Sequence, residues 1–354
     1  MSRFFSEKYK NLEAYVPGEQ PKDMKYIKLN TNESPYPPSR AVIDAVSSQA
    51  ELLQLYSDPD LTEPRVEMAR LLGVLPSNVI MTNGSDEVLN FAFMAYGDST
   101  HPFVFADITY GFYTVFGDVN NIPYEIIPLK EDLSIDYREY CGLNKNIVIA
   151  NPNAPTGLAL ELWKIEEIVK SNPDNIVIID EAYVDFGAES AVGLTRKYDN
   201  LLVTQTFSKS RSMAGARLGF GVANEAIIND LNTVRCSTNP YNVNRMTLAA
   251  GAAALRDNDY YMENCRKIMS TREFTKNELL ALGFEVTDSV TNFIFARHKS
   301  ADGKMLYEEL RKRGILVRHF SKERIREYNR ITVGTKEQME ALIDTLKSIL
   351  EEEK

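Results

Sequence analysis

Short runs of consecutive apolar residues recur through the first 245 residues, and each run ends in polar or turn-forming residues. The runs have the length of buried strands and lie at residues 79–82, 103–106, 147–150, 176–179 and 201–203. Segments of helical length separate them. Continuous apolar strands that alternate with helices are typical of a mostly parallel β-sheet covered on both faces. The pattern therefore predicts an α/β domain, whose ligands would bind at the carboxyl ends of the strands.

The pattern changes after about residue 245. An alanine-rich helix over residues 246–255 and a long charged helix over 258–282 are followed by shorter strands and helices. Thr335 and Gln338 have the spacing of a capping box that opens a final amphipathic helix. We therefore expect an N-terminal arm over residues 1–40 that packs with the small domain, a large domain over 41–245 and a small α+β domain over 246–354.

Composition and charge narrow the class of partner. The 354 residues have a net charge of −10, which argues against nucleic acid or an anionic membrane surface as the main partner. The three cysteines and three histidines are scattered, so we expect neither a disulfide framework nor a metal site. The chain begins with no apolar signal segment and has no apolar run as long as a membrane span. The expectation is a cytoplasmic protein.

Two charged residues follow two of the apolar runs. Lys209 lies between two serines shortly after the run at 201–203, and Asp180 directly follows the run at 176–179. A lysine at the end of a buried strand can lose solvation and act as an amine nucleophile, whereas an aspartate there is costly unless it faces a cation. Taken alone, Lys209 is better explained as a surface lysine, and Asp180 as a helix cap or as part of a structural ion pair. The two charges could pair directly, or both could serve one ligand between them.

Three further segments at strand ends carry groups that bind ligands. The turn Gly84-Ser85-Asp86 precedes an apolar helix, whose first N–H groups can form an anion site, and Arg217 could add a bidentate contact to a phosphate. The turn over residues 151–157 holds asparagine amides, and residues 109–113 offer an aromatic face on which a ring can stack. Each segment alone also has an ordinary explanation as a turn, a surface arginine or core aromatics.

Seven segments share an order and spacing that is known from one protein family. They are Leu29-Asn30-Thr31-Asn32-Glu33-Ser34-Pro35, Asn83-Gly84-Ser85-Asp86-Glu87, Thr109-Tyr110-Gly111, Asn151-Pro152-Asn153, Asp180-Glu181-Ala182-Tyr183, Ser208-Lys209 and Arg330-Ile331-Thr332-Val333-Gly334. Across nearly the whole chain they resemble the fold-type I aminotransferases that use pyridoxal 5′-phosphate (PLP), and most closely the histidinol-phosphate aminotransferases. The resemblance implies a large domain with a mostly parallel seven-stranded sheet flanked by helices, a smaller α+β C-terminal domain and an N-terminal arm.

For the cofactor ring, the resemblance implies a role for each of four residues. Lys209 would form the internal Schiff base with PLP and, once displaced by substrate, carry the proton between Cα and C4′. Asp180 would pair with the pyridinium nitrogen and keep it protonated, so that the ring acts as an electron sink. Tyr183 would hydrogen-bond the ring 3′-oxygen, and Tyr110 would stack on the ring.

The resemblance also implies a set of groups around the cofactor phosphate. In this chain they are Gly84, Ser85, Asp86, Ser208 and Arg217. Tyr56 matches a tyrosine that in this family reaches across a dimer interface to the neighbouring subunit's cofactor phosphate. The active site would then be shared between the two chains of a homodimer.

For the substrate, the resemblance implies four further positions. Arg330 resembles the family's carboxylate-binding arginine, whose planar fork suits 2-oxoglutarate and glutamate. Arg318 and Tyr15, which lies in the arm, match positions that contact the substrate phosphate. Asn32, in the first of the seven segments, is also expected to bind substrate.

One departure from the family pattern concerns the turn after the run at 147–150. Many relatives have Asn immediately before Pro-Thr-Gly, and its amide contacts the ring 3′-oxygen. This chain has Ala154 at that position, with Asn153 one residue earlier. Either Asn153 makes the contact, or Tyr183 makes it alone.

The expected reaction is the transfer of an amino group from histidinol phosphate to 2-oxoglutarate, in histidine biosynthesis. Aromatic aminotransferases and threonine-phosphate decarboxylases resemble the same frame, and their cofactor residues would look the same. PLP weakens any bond held perpendicular to its ring, so the substrate pocket decides between these reactions. A non-enzymatic PLP-fold regulator is disfavoured, because the acidic chain has no room for a DNA-binding domain before residue 40.

Overall fold

Strands and helices alternate through most of the chain, of which a computed structural model describes residues 2–10, 12–15 and 18–352. The strands are β1 Ile27–Lys28, β2 Val79–Thr82, β3 Phe103–Ala106, β4 Tyr124–Ile127, β5 Asn146–Ala150, β6 Val177–Asp180, β7 Leu201–Thr206, β8 Gly219–Val222, β9 Phe284–Val286, β10 Phe293–His298, β11 Ile315–Leu316, β12 Arg318–His319 and β13 Asn329–Thr332. The helices are α1 Arg40–Gln49, α2 Thr62–Leu72, α3 Ser85–Tyr96, α4 Phe112–Asn120, α5 Leu162–Ser171, α6 Glu225–Thr238, α7 Arg245–Arg256, α8 Asn258–Ala281, α9 Gly303–Lys312 and α10 Lys336–Glu352.

Seven strands form the central sheet in the order β2-β8-β7-β6-β5-β3-β4, and β8 alone runs antiparallel to its neighbours. Successive side chains of a strand point to opposite faces. Along β6, Val177 and Ile179 join the core on one face, and Ile178 joins the core on the other. Helices cover both faces, which explains why the strands read as continuous apolar runs. The predicted fold class is confirmed.

A smaller antiparallel sheet, in the order β12-β13-β10-β9, packs with α8, α9 and α10 around a separate core. The predicted capping box at the start of α10 is present: the Thr335 N–H donates to Gln338 Oε1 at 2.9 Å, and the Gln338 N–H donates to Thr335 Oγ1 at 3.3 Å. These elements give the second α+β unit that the change of pattern predicts.

The segment before α1 is part of the small sheet system. Strand β1 pairs in parallel with β11. The Leu29 N–H donates to the Leu316 carbonyl at 2.8 Å, and the Leu29 carbonyl accepts from the Thr332 N–H at 2.9 Å. This part of the arm therefore lies between β11 and β13, and it carries residues 30–33 to the edge of the large sheet.

Helix α7 packs differently from the domain boundary predicted at residue 245. Its side chains Ala250, Ala254 and Leu255 belong to the core under the large sheet, and the helix lies against α1 and α2. An alanine-rich helix allows such close approach, because its side chains are small. The boundary stays a prediction, and this packing favours a position after α7. Within the described residues, every helix is too short or too polar to cross a lipid bilayer.

Candidate active site

Asp180 is the last residue of β6 and lies at the carboxyl end of the sheet. Alternation along the strand directs its side chain to the same face as Ile178, toward α3 and α4. The carboxylate is 5% exposed; Oδ2 accepts a hydrogen bond from Tyr113 Oη at 2.8 Å, and Oδ1 accepts from Thr204 Oγ1 at 3.4 Å. Burial raises the pKa of Asp180 to about 6, although the Tyr113 hydroxyl acts in the opposite direction.

Lys209 lies in the loop after β7, the strand that pairs with β6. Within the described chain, the one hydrogen bond of its Nζ goes to the Thr31 carbonyl at 3.5 Å, and Nζ lies 5.7 Å from the centre of the Tyr183 ring. The neighbouring Ser210 ties this loop to Asp185, because its Oγ donates to Asp185 Oδ2 at 2.5 Å. Lys209 and Asp180 therefore extend from neighbouring strand ends, as predicted, and the hydrogen bonds and ion pairs of the structure do not join them directly.

The turn before α3 is the predicted anion site. Gly84 has φ of +83° and ψ of 160°, a backbone conformation that residues with a side chain rarely adopt, which favours glycine at this position. Among the described residues no side chain caps α3, which leaves the N–H groups of Ser85 and Asp86 facing the turn. Arg217 pairs with Asp86 at 3.2 Å, and its Nη1 lies 3.4 Å from Ser208 Oγ.

A cavity of about 420 Å³ connects these groups. The Tyr110 ring lies on its wall, with its hydroxyl donating to Asp86 Oδ1 at 2.8 Å. The residues predicted to bind the cofactor that line this cavity are Ser85, Asp86, Tyr110, Asp180, Tyr183, Ser208, Lys209 and Arg217. One cavity is therefore lined by a buried carboxylate, by the turn predicted to bind an anion and by a lysine.

A second cavity of about 350 Å³ adjoins the first, since Thr31, Tyr110, Ala154, Tyr183 and Lys209 line both. The four residues predicted to bind substrate all line it: Tyr15, Asn32, Arg318 and Arg330. Lys209 thus lies at the junction of the two cavities.

Two arginines face each other in the second cavity. Arg318 of β12 and Arg330 of β13 are register partners on antiparallel strands, so their side chains share one face of the sheet. Arg330 Nη2 donates to the Asn30 carbonyl at 3.2 Å, and its buried Nε has no partner among the described residues. Burial lowers the pKa of Arg330, and the charge of Arg318 acts in the same direction.

Asn32 connects the arm to the wall that both cavities share. Its Nδ2 donates to Tyr183 Oη at 2.9 Å, and its backbone N–H donates to Thr332 Oγ1 at 2.9 Å. Asn32 has φ of +54°, a left-handed conformation that asparagine tolerates better than most residues. Its side chain therefore orients the Tyr183 hydroxyl from the arm, besides lining the second cavity.

Tyr15, in the outer part of the arm, lies at the second cavity. Its side chain is 43% exposed, and its ring lies 4.5 Å from that of Phe112, at the start of α4. The neighbouring residues 16 and 17 lie outside the described residues. Tyr15 thus lies at the rim of the cavity, where the small sheet and α4 approach each other.

The structure corrects the prediction for Asn153. Its side chain is buried and lines neither cavity. Asn153 Nδ2 donates to the Ile108 carbonyl and to Thr156 Oγ1, both at 3.0 Å, and Oδ1 accepts from Thr109 Oγ1 at 2.8 Å. The amide holds the turn together and has no free hydrogen for a ring oxygen. Of the two alternatives left open in the sequence, this arrangement favours the one in which Tyr183 makes the contact alone.

Tyr56 is separate from the other predicted residues. It lines neither cavity, it is 78% exposed, and its ring stacks on Tyr241 at 4.4 Å. Leu53 and Leu55 beside it are also exposed. An apolar surface of this kind is typical of a contact with another protein chain, which is compatible with the predicted role of Tyr56 at a neighbouring subunit.

A family model described as aminotransferase class I and II matches residues 24–346. The chain belongs to this family. A histidinol-phosphate aminotransferase of Brachyspira hyodysenteriae is similar at 49% identity over 352 residues, which cover 99% of both chains.

Solved structures show that proteins named for different substrates share this fold. Histidinol-phosphate aminotransferase from Sinorhizobium meliloti, in complex with pyridoxal-5′-phosphate, superposes with a TM-score of 0.86 at 22% identity over 99% of each chain. L-threonine-O-3-phosphate decarboxylase from Porphyromonas gingivalis superposes with a TM-score of 0.79 at 23% identity, covering 92% of this chain and 99% of that one. At these identities the likeness concerns the fold alone.

Two residues of the candidate site have no role in the sequence-based prediction. Tyr113, the hydroxyl donor to Asp180, lies three residues after Tyr110 in the aromatic segment, and that helical spacing was a usable signal. Lys322 lines the second cavity with its Nζ on the Asp107 carbonyl at 2.8 Å. It lies in a run of charged residues where nothing in the sequence distinguishes it. The described residues bring together no group of His, Cys, Asp and Glu side chains that could hold a metal ion.

Proposed function

We propose that this protein is a PLP-dependent aminotransferase that converts L-histidinol phosphate and 2-oxoglutarate into imidazole-acetol phosphate and L-glutamate. One observation carries the proposal: Lys209 lies where a cavity suited to the cofactor adjoins a cavity lined by Arg318 and Arg330. The near half identity to a histidinol-phosphate aminotransferase along the whole chain supports the choice of substrate.

The residues of the first cavity fit PLP at both of its ends. At one end, the N–H groups at the start of α3 and the guanidinium of Arg217 can receive a phosphate. At the other end, Asp180 is a buried carboxylate without a cationic partner in the described structure, and a protonated ring nitrogen would supply that partner. Tyr110 lies between the ends with a face on which a ring can stack.

Bound PLP supplies an electron-withdrawing ring that acidifies the substrate α-carbon. The protein must then hold the ring and move protons. The Lys209 amine, at the junction of the cavities, is the base and acid for the proton at that carbon. Asp180 keeps the ring nitrogen protonated, and Tyr183, oriented by Asn32, donates to the ring hydroxyl oxygen.

The second cavity offers two arginines to the anionic groups of the substrates. Like charges opposite each other on neighbouring strands are destabilising, so the facing pair Arg318 and Arg330 is best explained by anionic groups that bind in this cavity. Arg330, the more enclosed of the two, takes the carboxylate of 2-oxoglutarate or glutamate. Arg318, together with Tyr15 and Lys322 nearer the rim, takes the phosphate of histidinol phosphate.

We further propose a homodimer in which Tyr56 reaches the cofactor phosphate of the neighbouring subunit. The exposed apolar surface around Tyr56 supports this arrangement. Sedimentation velocity should give twice the mass of one chain at micromolar concentration; a monomer that is fully active would contradict the proposal. The cytoplasmic location stays a prediction.

The cofactor is tested by titrating the purified protein with PLP and recording the absorbance between 300 and 450 nm, a range that is roughly that of a lysine-bound cofactor. We expect a band that is lost in Lys209→Ala and retained in Lys170→Ala, a control that lies on α5 outside both cavities. A wild-type protein that stays colourless under saturating PLP would refute the cofactor and the reaction together.

The substrate is tested by single-turnover half-reactions of the PLP-loaded protein with histidinol phosphate, phenylalanine, tyrosine and threonine phosphate. We expect histidinol phosphate to react with the highest kcat/KM. A preference for an aromatic amino acid, or release of CO₂ from threonine phosphate, would instead assign one of the two alternative activities while leaving the cofactor assignment intact.

A further inference from the structure

Tyr113 is a fully buried residue in the first turn of α4, with a side-chain exposure of 0%. Its hydroxyl donates to Asp180 Oδ2 at 2.8 Å, the shorter of the two side-chain hydrogen bonds that this carboxylate accepts. A buried phenol needs a hydrogen-bond partner, and here the partner is the carboxylate that points into the first cavity. Tyr113 itself lines neither cavity.

The residue three positions earlier makes an equivalent contact with a second carboxylate of the same cavity. Tyr110 Oη donates to Asp86 Oδ1 at 2.8 Å, and the Tyr110 and Tyr113 rings meet edge to face at 5.6 Å. The short segment from Tyr110 to Tyr113, which leads into α4, therefore holds two carboxylates of the cavity, Asp86 at the start of α3 and Asp180 at the end of β6.

The Tyr113 hydroxyl is one of several groups that determine whether the Asp180 carboxyl is ionised. Burial and the charge of Asp86 on α3 favour the protonated carboxyl, whereas the hydroxyls of Tyr113 and Thr204 and the Ala182 N–H favour the carboxylate. Of the hydroxyl donors, Tyr113 has the greater effect. Removing it shifts the balance further toward a neutral carboxyl, which cannot pair with a protonated ring nitrogen.

We propose that Tyr113 is a positioning residue of the active site, whose hydroxyl keeps the Asp180 carboxylate ionised and directed into the cofactor cavity. The inference rests on the proposed PLP-dependent function and extends it to a residue that does not touch the cofactor. Because the ring of Tyr113 also packs in the core, Tyr113→Phe separates the two contributions: it keeps the ring and removes the hydroxyl alone.

The matched control is Tyr261→Phe. Tyr261 is equally buried, and its hydroxyl accepts the Ser39 N–H at 3.1 Å, away from both cavities. Both variants thus lose one buried, hydrogen-bonded phenol oxygen, and we expect similar decreases in Tm of the cofactor-free protein. The dissociation constant of PLP, from titration of cofactor-free protein, should rise about tenfold in Tyr113→Phe and stay within about twofold of wild type in Tyr261→Phe.

Two further measurements identify Asp180 as the intermediary. The acid limb of the kcat profile should move to higher pH in Tyr113→Phe, since the lost donor stabilised the carboxylate. In a double-mutant cycle with Asp180→Asn, the Tyr113→Phe substitution should change the PLP dissociation constant by less than about twofold, because the charge through which it acts is gone.

Equal effects of Tyr113→Phe in the Asp180 and Asp180→Asn backgrounds would overturn the inference, as would a PLP affinity and an acid limb unchanged from wild type. The proposed function would survive either result, provided that wild type binds PLP and transfers the amino group. A wild-type protein that does not bind PLP would contradict both the inference about Tyr113 and the proposed function.

Discussion

The two cavities that meet at Lys209 differ in how their charged side chains are paired. In the first cavity, Asp86 pairs with Arg217, and the Asp180 carboxylate accepts hydrogen bonds from Tyr113 and Thr204. In the second cavity, Arg318 and Arg330 face each other, and neither has an ion pair with a described carboxylate. One cavity is ordered before any ligand arrives; the other holds positive charge that only a ligand can neutralise.

This difference follows from the elements that build each cavity. Asp180 and Lys209 extend from the ends of strands buried on both faces, where the core fixes the backbone. The two arginines of the second cavity lie instead on the short strands β12 and β13, and both are only half-buried. We therefore expect substitutions in the first cavity to lower kcat and cofactor affinity, and substitutions in the second to raise KM and relax selectivity.

The largest effect is expected for Asp180→Asn. The variant keeps the shape of the side chain and loses the charge opposite the ring nitrogen, so kcat should fall by about 10²–10⁴-fold. Steady-state kinetics should show KM for histidinol phosphate changed by less than about threefold. A variant with normal kcat and a raised KM would contradict the assignment of catalysis to the first cavity and of substrate binding to the second.

Arg330→Ala should show the reverse signature. Loss of an enclosed guanidinium that binds a carboxylate should lower kcat/KM for 2-oxoglutarate by about 10²-fold, mostly through KM. Arg330→Lys retains the charge without the planar fork and should recover only part of the loss. PLP affinity, measured by titration, should remain that of wild type; a large decrease would show that Arg330 serves the cofactor instead.

A smaller change is expected for Arg318→Ala, nearer the rim. The preference for histidinol phosphate over histidinol, as a ratio of kcat/KM values, should decrease by about tenfold. The control Arg326→Ala removes an exposed arginine of the same segment, paired with Glu327 at 3.2 Å and outside both cavities, and should leave the ratio unchanged. Equal ratios in wild type and Arg318→Ala would assign the phosphate to other residues.

The smallest effect concerns the stability of the cofactor-free protein. The pKa of Asp180 is raised to about 6 by burial, above its value of 3.8 in an unfolded chain. The folded state then binds more protons between pH 4 and pH 6, so Asp180 makes the free energy of unfolding fall as pH rises through this window. In Asp180→Asn, Tm should fall less between pH 4.5 and 7, by about 1–3 °C. A steeper fall than in wild type would contradict the raised pKa.

The cofactor side of the site was largely predictable, because its residues directly follow apolar runs. Once the runs are read as parallel strands, Asp180 and Lys209 must lie near one edge of the sheet. The glycine before α3 is predictable for a similar reason, since the strand-to-helix turn needs a positive φ at that point.

The positions of Asn153, Tyr113 and α7 depend on tertiary packing, which the local sequence pattern does not predict. Asn153 and Ala154 are adjacent in sequence, yet only Ala154 lines the cavities, because the Asn153 amide is used within the turn. Tyr113 reads as an ordinary core aromatic until the strand end it faces is known. The position of α7 follows from contacts with α1 and α2, some 200 residues earlier in the chain, as the hydrogen bond from Arg245 to Gln49 across 196 positions illustrates.

The position of the arm constrains how the protein can form during synthesis. Asn32 donates to Thr332, 300 positions later, and β1 has no strand partner until β11 emerges. At roughly 5–20 residues per second, a ribosome needs on the order of 15–60 s to make that stretch. The large sheet can assemble in that interval, whereas β1 and Asn32 must wait for β11 and β13. The second cavity is therefore completed late, and a chain truncated before β13 would contain the first cavity without the second.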